Sequence, residues 1–219
     1  MLAIIPNLGA SKGVIMNIKI LIIFFVSIGL FIFLWYCNST IPYNPNKVDC
    51  NKTERILIVG GPGSGKSFAA QQLGKKLNLP VYCLDDYFYD SDWRPVPEEQ
   101  FVAKQRELIA KDVWIIDGTS TSTLSERLKR ADLIIFFDVP LYMRVWSIIK
   151  RDFLSTNPHL PAGCTFSYRQ FWYFLIKNVV GFSTKQKAKK IYEIIAHHPE
   201  VPAVIIRSRE EWKRWLLIT

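Results

Sequence analysis

The chain has 219 residues and a mass of 25.4 kDa, enough for one domain of ordinary size with an appendage and too little for two full domains. Hydrophobic residues make up 49% and charged residues 21%, which excludes a disordered or collagen-like chain. Its four cysteines (Cys37, Cys50, Cys83, Cys164) form no CxxC pair and no ligand spacing with histidine, which excludes a disulfide framework and a zinc site. With 28 basic against 19 acidic residues the net charge is +9, which points to phosphate-bearing partners, nucleic acid or an anionic surface.

In chain order, residues 1–19 form a short N-terminal segment. Ile20 to Cys37 is an uncharged run of Ile, Leu, Phe and Val closed by Trp35-Tyr36, just long enough to cross a bilayer as a helix with aromatic residues at the interface. The expectation is a single-pass membrane anchor at residues 20–37, with the following domain facing the cytoplasm. A secretory signal peptide competes, although its apolar region is shorter and ends in small residues. An extension of a cytoplasmic protein, with Met16 opening a basic-then-apolar segment, is the other alternative. Residues 38–53, with Pro42, Pro45 and several Asn, read as a polar linker. The folded domain is expected over 54–219.

That domain opens with Arg55-Ile56-Leu57-Ile58-Val59, a short strand pattern, followed by Gly60, Gly61, Pro62, Gly63, Ser64, Gly65, Lys66, Ser67 and Phe68. A helical pattern then runs to Leu77 and stops before Pro80. Strand, glycine-rich turn and helix stand in the order a phosphate-binding loop needs. Glycines matter because backbone N–H groups converge on an anion only where no Cβ blocks the approach. The helix start adds unpaired N–H groups and the positive end of its dipole. Lys66 is expected to reach the β and γ phosphates of ATP, and the Ser67 hydroxyl to join the Mg²⁺ shell.

Four more strands are predicted at Val81 to Leu84, Val113 to Ile116, Leu133 to Asp138 and Ala203 to Ile206. They alternate with helices around 97–110, 122–130, 141–153 and 209–217. This is the rhythm of a parallel sheet covered on both faces, with reactive residues at the carboxyl ends of its strands. Asp117 ends one strand and is the candidate on the metal side; Asp138 ends another and is its rival. Asp85 and Asp86 follow the second strand, where a carboxylate can take the proton of an attacking hydroxyl, or where they form only a solvated acidic turn.

Between 144 and 190 nine basic residues stand against Asp152 alone and carry eight of the nine net charges. Arg144, Lys150 and Arg151 lie on the predicted helix after Pro140, where guanidinium groups can close over a triphosphate. A second reading interleaves these charges with Trp146, Phe153, Phe166 and Tyr168 as a nucleic-acid surface. Tyr168, Phe171, Trp172, Leu175, Ile176 and Val179 instead follow helical core spacing, and Lys185 to Lys190 then form a solvated helix face. His159, His197 and His198 sit beside prolines in loop-like segments and are given no role.

Several pieces together resemble the adenylate-kinase-like P-loop proteins called DNA topology modulation, or FlaR-related, proteins. They are Gly60 to Ser67, Leu84-Asp85 with Trp93 and Pro95, Trp114 to Gly118, Asp138-Val139-Pro140 with its basic helix, Gly163-Cys164, Phe171-Trp172, and Arg207-Ser208-Arg209. The resemblance implies an α/β fold of the nucleoside and nucleotide kinase type. Its five-stranded parallel sheet carries helices on both faces, and the P-loop strand lies beside the strand ending in Asp117. It further implies that Arg207 and Arg209 lie near the nucleotide base and that Lys150 and Arg151 belong to a lid spanning about 144–190. Relative to that family the first fifty residues are an addition, and Asp86-Tyr87-Phe88-Tyr89 looks closer to the acceptor side of nucleoside and riboside kinases. The expected function is Mg·ATP-dependent phosphoryl transfer to a nucleoside, nucleotide or similar small acceptor. The alternative is an ATP-dependent DNA-binding regulator without turnover.

Overall fold

The computed structural model describes residues 52–88, 94–153 and 186–219, without the side chains of 151–153. Five strands form one sheet: β1 (Arg55–Gly60), β2 (Val81–Cys83), β3 (Trp114–Asp117), β4 (Leu133–Phe137) and β5 (Ala203–Ile206). The helices are α1 (Lys66–Leu77), α2 (Asp85–Phe88), α3 (Glu98–Ile109), α4 (Leu124–Leu128), α5 (Leu141–Phe153), α6 (Gln186–Ala196) and α7 (Arg209–Ile218). The sheet order is β2-β3-β1-β4-β5 and every pairing is parallel. All five predicted strands are present, with ends shifted by at most a residue. The run at 122–130 yields only the five-residue α4; just before it the Thr123 hydroxyl bonds the Gln105 and Ser120 side chains.

Parallel strands covered on both faces must be apolar on both, and β1 meets that condition. Ile56, Leu57, Ile58 and Val59 are all fully buried. Their side chains alternate between two clusters, as a two-residue period requires. Leu57 and Val59 join Trp114, Ile116, Ile134 and Phe136 beneath α3, α4 and α6, whereas Ile56 and Ile58 join Ile115, Leu133 and Ile135 beneath α1 and α7. Trp212 and Trp215 of α7 stack at 5.3 Å, a contact that adds about 0.5–1.5 kcal/mol beyond the area it buries. Ser208 starts α7 by accepting the Glu211 N–H at 3.1 Å.

The membrane expectation is corrected. Among the described residues no helix is long and apolar enough to cross a membrane. The longest, α5, has 13 residues and spans about 20 Å at 1.5 Å per residue, against a hydrocarbon core of about 30 Å. Residues 20–37, where an anchor and an N-terminal hydrophobic helix were expected, lie outside the described residues, as do Trp93 and the stretch 154–185 with Tyr168, Phe171 and Trp172. The basic segment from 186 onward is the start of α6. Lys187, Lys189 and Lys190 are exposed there, and Lys189 pairs with Glu193 at 3.6 Å.

Asp132 ties the entry of β1 to β4. Its carboxylate accepts the backbone N–H of Arg55 at 2.9 Å and of Glu54 at 3.2 Å, and the Arg55 guanidinium at 2.7 Å. Burial by itself would raise this carboxyl, but the Arg55 and backbone hydrogen bonds outweigh burial and hold it below its ordinary value. A lowered carboxyl stabilises the fold above the unfolded value near 4 and loses that contribution as pH falls through the folded value. Asp132→Asn should therefore cost about 1 kcal/mol at pH 7, and thermal unfolding should show the gap to wild type closing below about pH 4; a gap independent of pH contradicts the ionic account.

Candidate active site at the phosphate loop

The loop from Gly61 to Gly65 links the buried end of β1 to α1. Gly65 stands at the helix start with φ 90°, no side chain caps the helix, and its first turn carries no acidic residue. Among the described residues no side chain caps the N–H groups at the positive dipole end of α1. A Cβ on Gly65 would find nothing within 4 Å, so space lies beside these donors. The opposite holds at Gly63, where φ is 77° and a Cβ would come within 2.6 Å of the Arg144 carbonyl oxygen and 2.9 Å of Ile148. There the missing side chain lets α5 lie directly on the loop.

The structure brings Lys66 and Asp117 together. The Lys66 Nζ stands 3.9 Å from Asp117 Oδ1, and Asp117 is 1% exposed. That oxygen has no hydrogen-bond partner, while Oδ2 takes the Cys83 thiol at 3.8 Å. Cys83 and Asp117 are register partners on adjacent strands, which places their side chains side by side. Burial pushes the Asp117 carboxyl up, and Lys66 and the Ser67 hydroxyl pull it back. Burial, and then Asp117, push the Cys83 thiol up to about 11, so at neutral pH it stays a neutral donor. The rival Asp138 has a different commitment: its Oδ2 accepts the Tyr192 hydroxyl at 2.8 Å, and burial followed by that carboxylate pushes the Tyr192 phenol up.

A divalent cation fits this corner through chemistry the residues lack by themselves: a bare buried carboxylate oxygen beside a serine hydroxyl. Among the described residues no group of three or more His, Cys, Asp or Glu can hold a metal. Mg²⁺ here would take Ser67 and the Asp117 side from the protein and its other oxygens from phosphate and water, the usual pattern for that ion.

Asp85 and Asp86 form the first turn of α2 at the end of β2 and are exposed. Asp85 is near enough to Asp117 and Cys83 for its charge to raise both. Arg144 is placed differently from the expected cap over a triphosphate. It is 2% exposed, and its guanidinium donates to the Val139 carbonyl at 3.1 Å and the Pro62 carbonyl at 3.3 Å, tying the loop to the start of α5. Lys150 is exposed on α5, and Arg151 lies in its last turn. Arg207 lies beside Tyr192, and Arg209 donates to Ser147 Oγ at 3.3 Å. Phe68 is 66% exposed on α1.

Two residues that sequence reasoning passed over hold the other side of the loop. The Thr119 hydroxyl accepts the Gly60 N–H at 2.7 Å and donates to the Gly60 carbonyl at 2.8 Å. Arg127 is fully buried and donates to the Gly118 and Ser120 carbonyls at 3.0 and 2.7 Å. Burial lowers its guanidinium to about 10. The hydroxyl run Thr119 to Thr123, directly after the strand-ending Asp117, is the signal that could have drawn attention to Thr119; an arginine on a short helix offers none.

No family model matches the chain. It is 22% identical over 185 residues to Threonine synthase-like 1 of Macaca fascicularis, covering 74% of this chain and 25% of that protein. It is 21% identical over 183 residues to the Homo sapiens protein of that name, covering 73% and 25%. The chain thus spans about a quarter of the length of these curated relatives. Among solved structures it is similar to shikimate kinase from Bacteroides thetaiotaomicron (14% identity, TM-score 0.46, 75% of this chain and 95% of that one). It is similar also to shikimate kinase from Aquifex aeolicus (16%, 0.43, 74% and 94%). The five-stranded parallel sheet and the glycine-rich turn between β1 and α1 are read from this chain's own strand order and loop geometry.

Gly63→Ala forces either the Arg144 carbonyl or the loop to move. It should cost about 1–3 kcal/mol of stability, measured by thermal unfolding; a wild-type value would contradict the close packing of α5 on the loop.

Proposed function

We propose that the chain is a Mg·ATP-dependent phosphotransferase acting on a small hydroxyl- or phosphate-bearing acceptor. The observation that carries this is the conjunction of an uncapped helix start, Lys66, and a buried Asp117 oxygen without a partner. The α1 amides and Lys66 would hold the β and γ phosphates, with Gly60 to Phe68 forming the surround, and bound Mg²⁺ would neutralise charge on the phosphate oxygens. Lys66 then follows the moving charge as the γ-phosphoryl group transfers, and positioning with charge neutralisation supplies most of the rate. An acceptor lying against α2 would give its proton to Asp85 or Asp86 as its oxygen attacks phosphorus. Lys150 and Arg151, in the last turns of α5, would approach the phosphates, while Arg144 keeps the loop in shape. Arg207 and Arg209 would stand on the base side.

The resemblance to DNA topology modulation proteins adds to this reading, with residues 54–219 as its domain. Binding to DNA ranks second, because the described lysines of α6 form a solvated helix face. Phosphate contacts would make such binding fall steeply with salt, so the absence of DNA affinity at low salt removes it.

Lys66→Ala should abolish ATP binding and turnover, and an unchanged affinity and rate would overturn the site. Single-turnover assays of the full chain with labelled ATP across nucleosides, nucleoside monophosphates and sugars should find one acceptor class. In that assay one of Asp85→Asn and Asp86→Asn should lower kcat about 10²- to 10⁴-fold; ATP binding without transfer to any acceptor would sink the enzyme reading.

A further inference from the structure

Asp117 keeps its charge in a buried place through its neighbours, and two of them are needed elsewhere once a nucleotide arrives. Burial raises the carboxyl, and three side chains work against that: Lys66, the Ser67 hydroxyl and the Cys83 thiol. In the proposed reaction Lys66 turns to the phosphates and Ser67 to the metal. Of the three, Cys83 alone is claimed by neither, and phosphoryl transfer gives it no part.

The backbone holds Cys83 in place. It is the register partner of Asp117 on the neighbouring strand, and the Leu84 N–H donates to the Asp117 carbonyl at 2.8 Å, which joins the two strand ends. From that seat the thiol donates to Asp117 Oδ2 at 3.8 Å. A thiol is a weak donor, but Asp117 is 1% exposed, so water does not compete and the low local dielectric strengthens the bond. Holding Oδ2 toward β2 turns the other oxygen, Oδ1, to the Lys66 side, where it stands buried without a hydrogen-bond partner.

We propose that Cys83 is a positioning residue: its S–H bond to Oδ2 fixes the rotation of the Asp117 carboxylate and keeps Oδ1 presented to the side of Lys66 and Ser67. Metal binding then depends on the thiol through Asp117, and Cys83 is not a ligand of its own. A group that orients a carboxylate beside a metal is worth about 10- to 100-fold in metal affinity. The role asks for a donor and not for sulfur: a serine hydroxyl supplies one, and an alanine methyl does not. The assignment rests on the proposal that the loop holds Mg·ATP.

The test uses the full chain and begins without metal or nucleotide. The chain has four cysteines, and the infrared S–H stretch of Cys83 is the band missing in both Cys83→Ala and Cys83→Ser. It should lie below the stretch of an unbonded thiol and shift in Asp117→Asn; a band at the unbonded position overturns the proposal. Calorimetric titration with ATP, with and without Mg²⁺, reads the consequence. Cys83→Ala should raise the Mg²⁺ concentration at half-saturation about tenfold and leave the metal-free ATP affinity unchanged, and Cys83→Ser should restore most of the loss. Equal weakening with and without Mg²⁺, or a wild-type Mg²⁺ requirement in Cys83→Ala, overturns the positioning assignment alone. Failure of the wild-type chain to bind ATP at any Mg²⁺ concentration overturns the phosphate-loop reading and this assignment with it.

Discussion

Asp117 has one carboxylate oxygen that is buried, bonded to nothing, and faced by a lysine ammonium 3.9 Å away. Leaving such an oxygen out of water costs far more than the distant ion pair returns. The surrounding fold has to impose it. Strand β3 is fully buried up to this residue, and its pairing with β1 and β2 brings Lys66 from one side and Cys83 from the other. The site is therefore a place where the protein accepts an unfavourable polar burial, as expected where an incoming charge completes the arrangement.

Much of the remaining structure keeps that corner and the adjoining loop in shape. Thr119 grips both backbone groups of Gly60, Arg144 reaches the Pro62 carbonyl, and Arg127 holds the turn that follows Asp117. Arg127 has no described carboxylate against it, and its two terminal nitrogens donate to backbone carbonyls instead, while its buried Nε has no hydrogen-bond partner. Two arginines thus serve as backbone clamps. An arginine near a phosphate site is easily read as a ligand for phosphate, and Arg144 illustrates why that inference fails without coordinates: its burial directs the guanidinium inward to carbonyls.

The two sides of the loop divide the chemistry. Toward β2 and β3 lie Asp117, Asp85 and Asp86, all acidic, where a metal and an acceptor belong in the proposed reaction. Toward α5 and α7 lie Trp146 and Arg209, an aromatic and a cation. The division follows from the parallel sheet, because all five strands end on one edge and the crossover helices leave it on either side of β1.

Local pattern was enough for the sheet and the loop. Continuous β-branched and aliphatic runs such as Ile56 to Val59 and Ile134 to Phe137 have no alternative to a strand buried on both faces, and glycines followed by Lys66-Ser67 at a helix start have few uses besides holding phosphate. Local pattern could not decide what Arg144 and Thr119 do, since their partners, Pro62 and Gly60, lie 82 and 59 residues away. It favoured Asp117 over Asp138 as the metal-side residue, although both are acids at the end of an apolar strand. In the structure their surroundings differ: α6 brings Tyr192 to Asp138, whereas Asp117 Oδ1 has no hydrogen-bond partner. Composition and spacing act over a few residues and determine which elements form; whether a polar atom at the end of an element is satisfied depends on elements far away in the chain, and that is settled when the sheet closes.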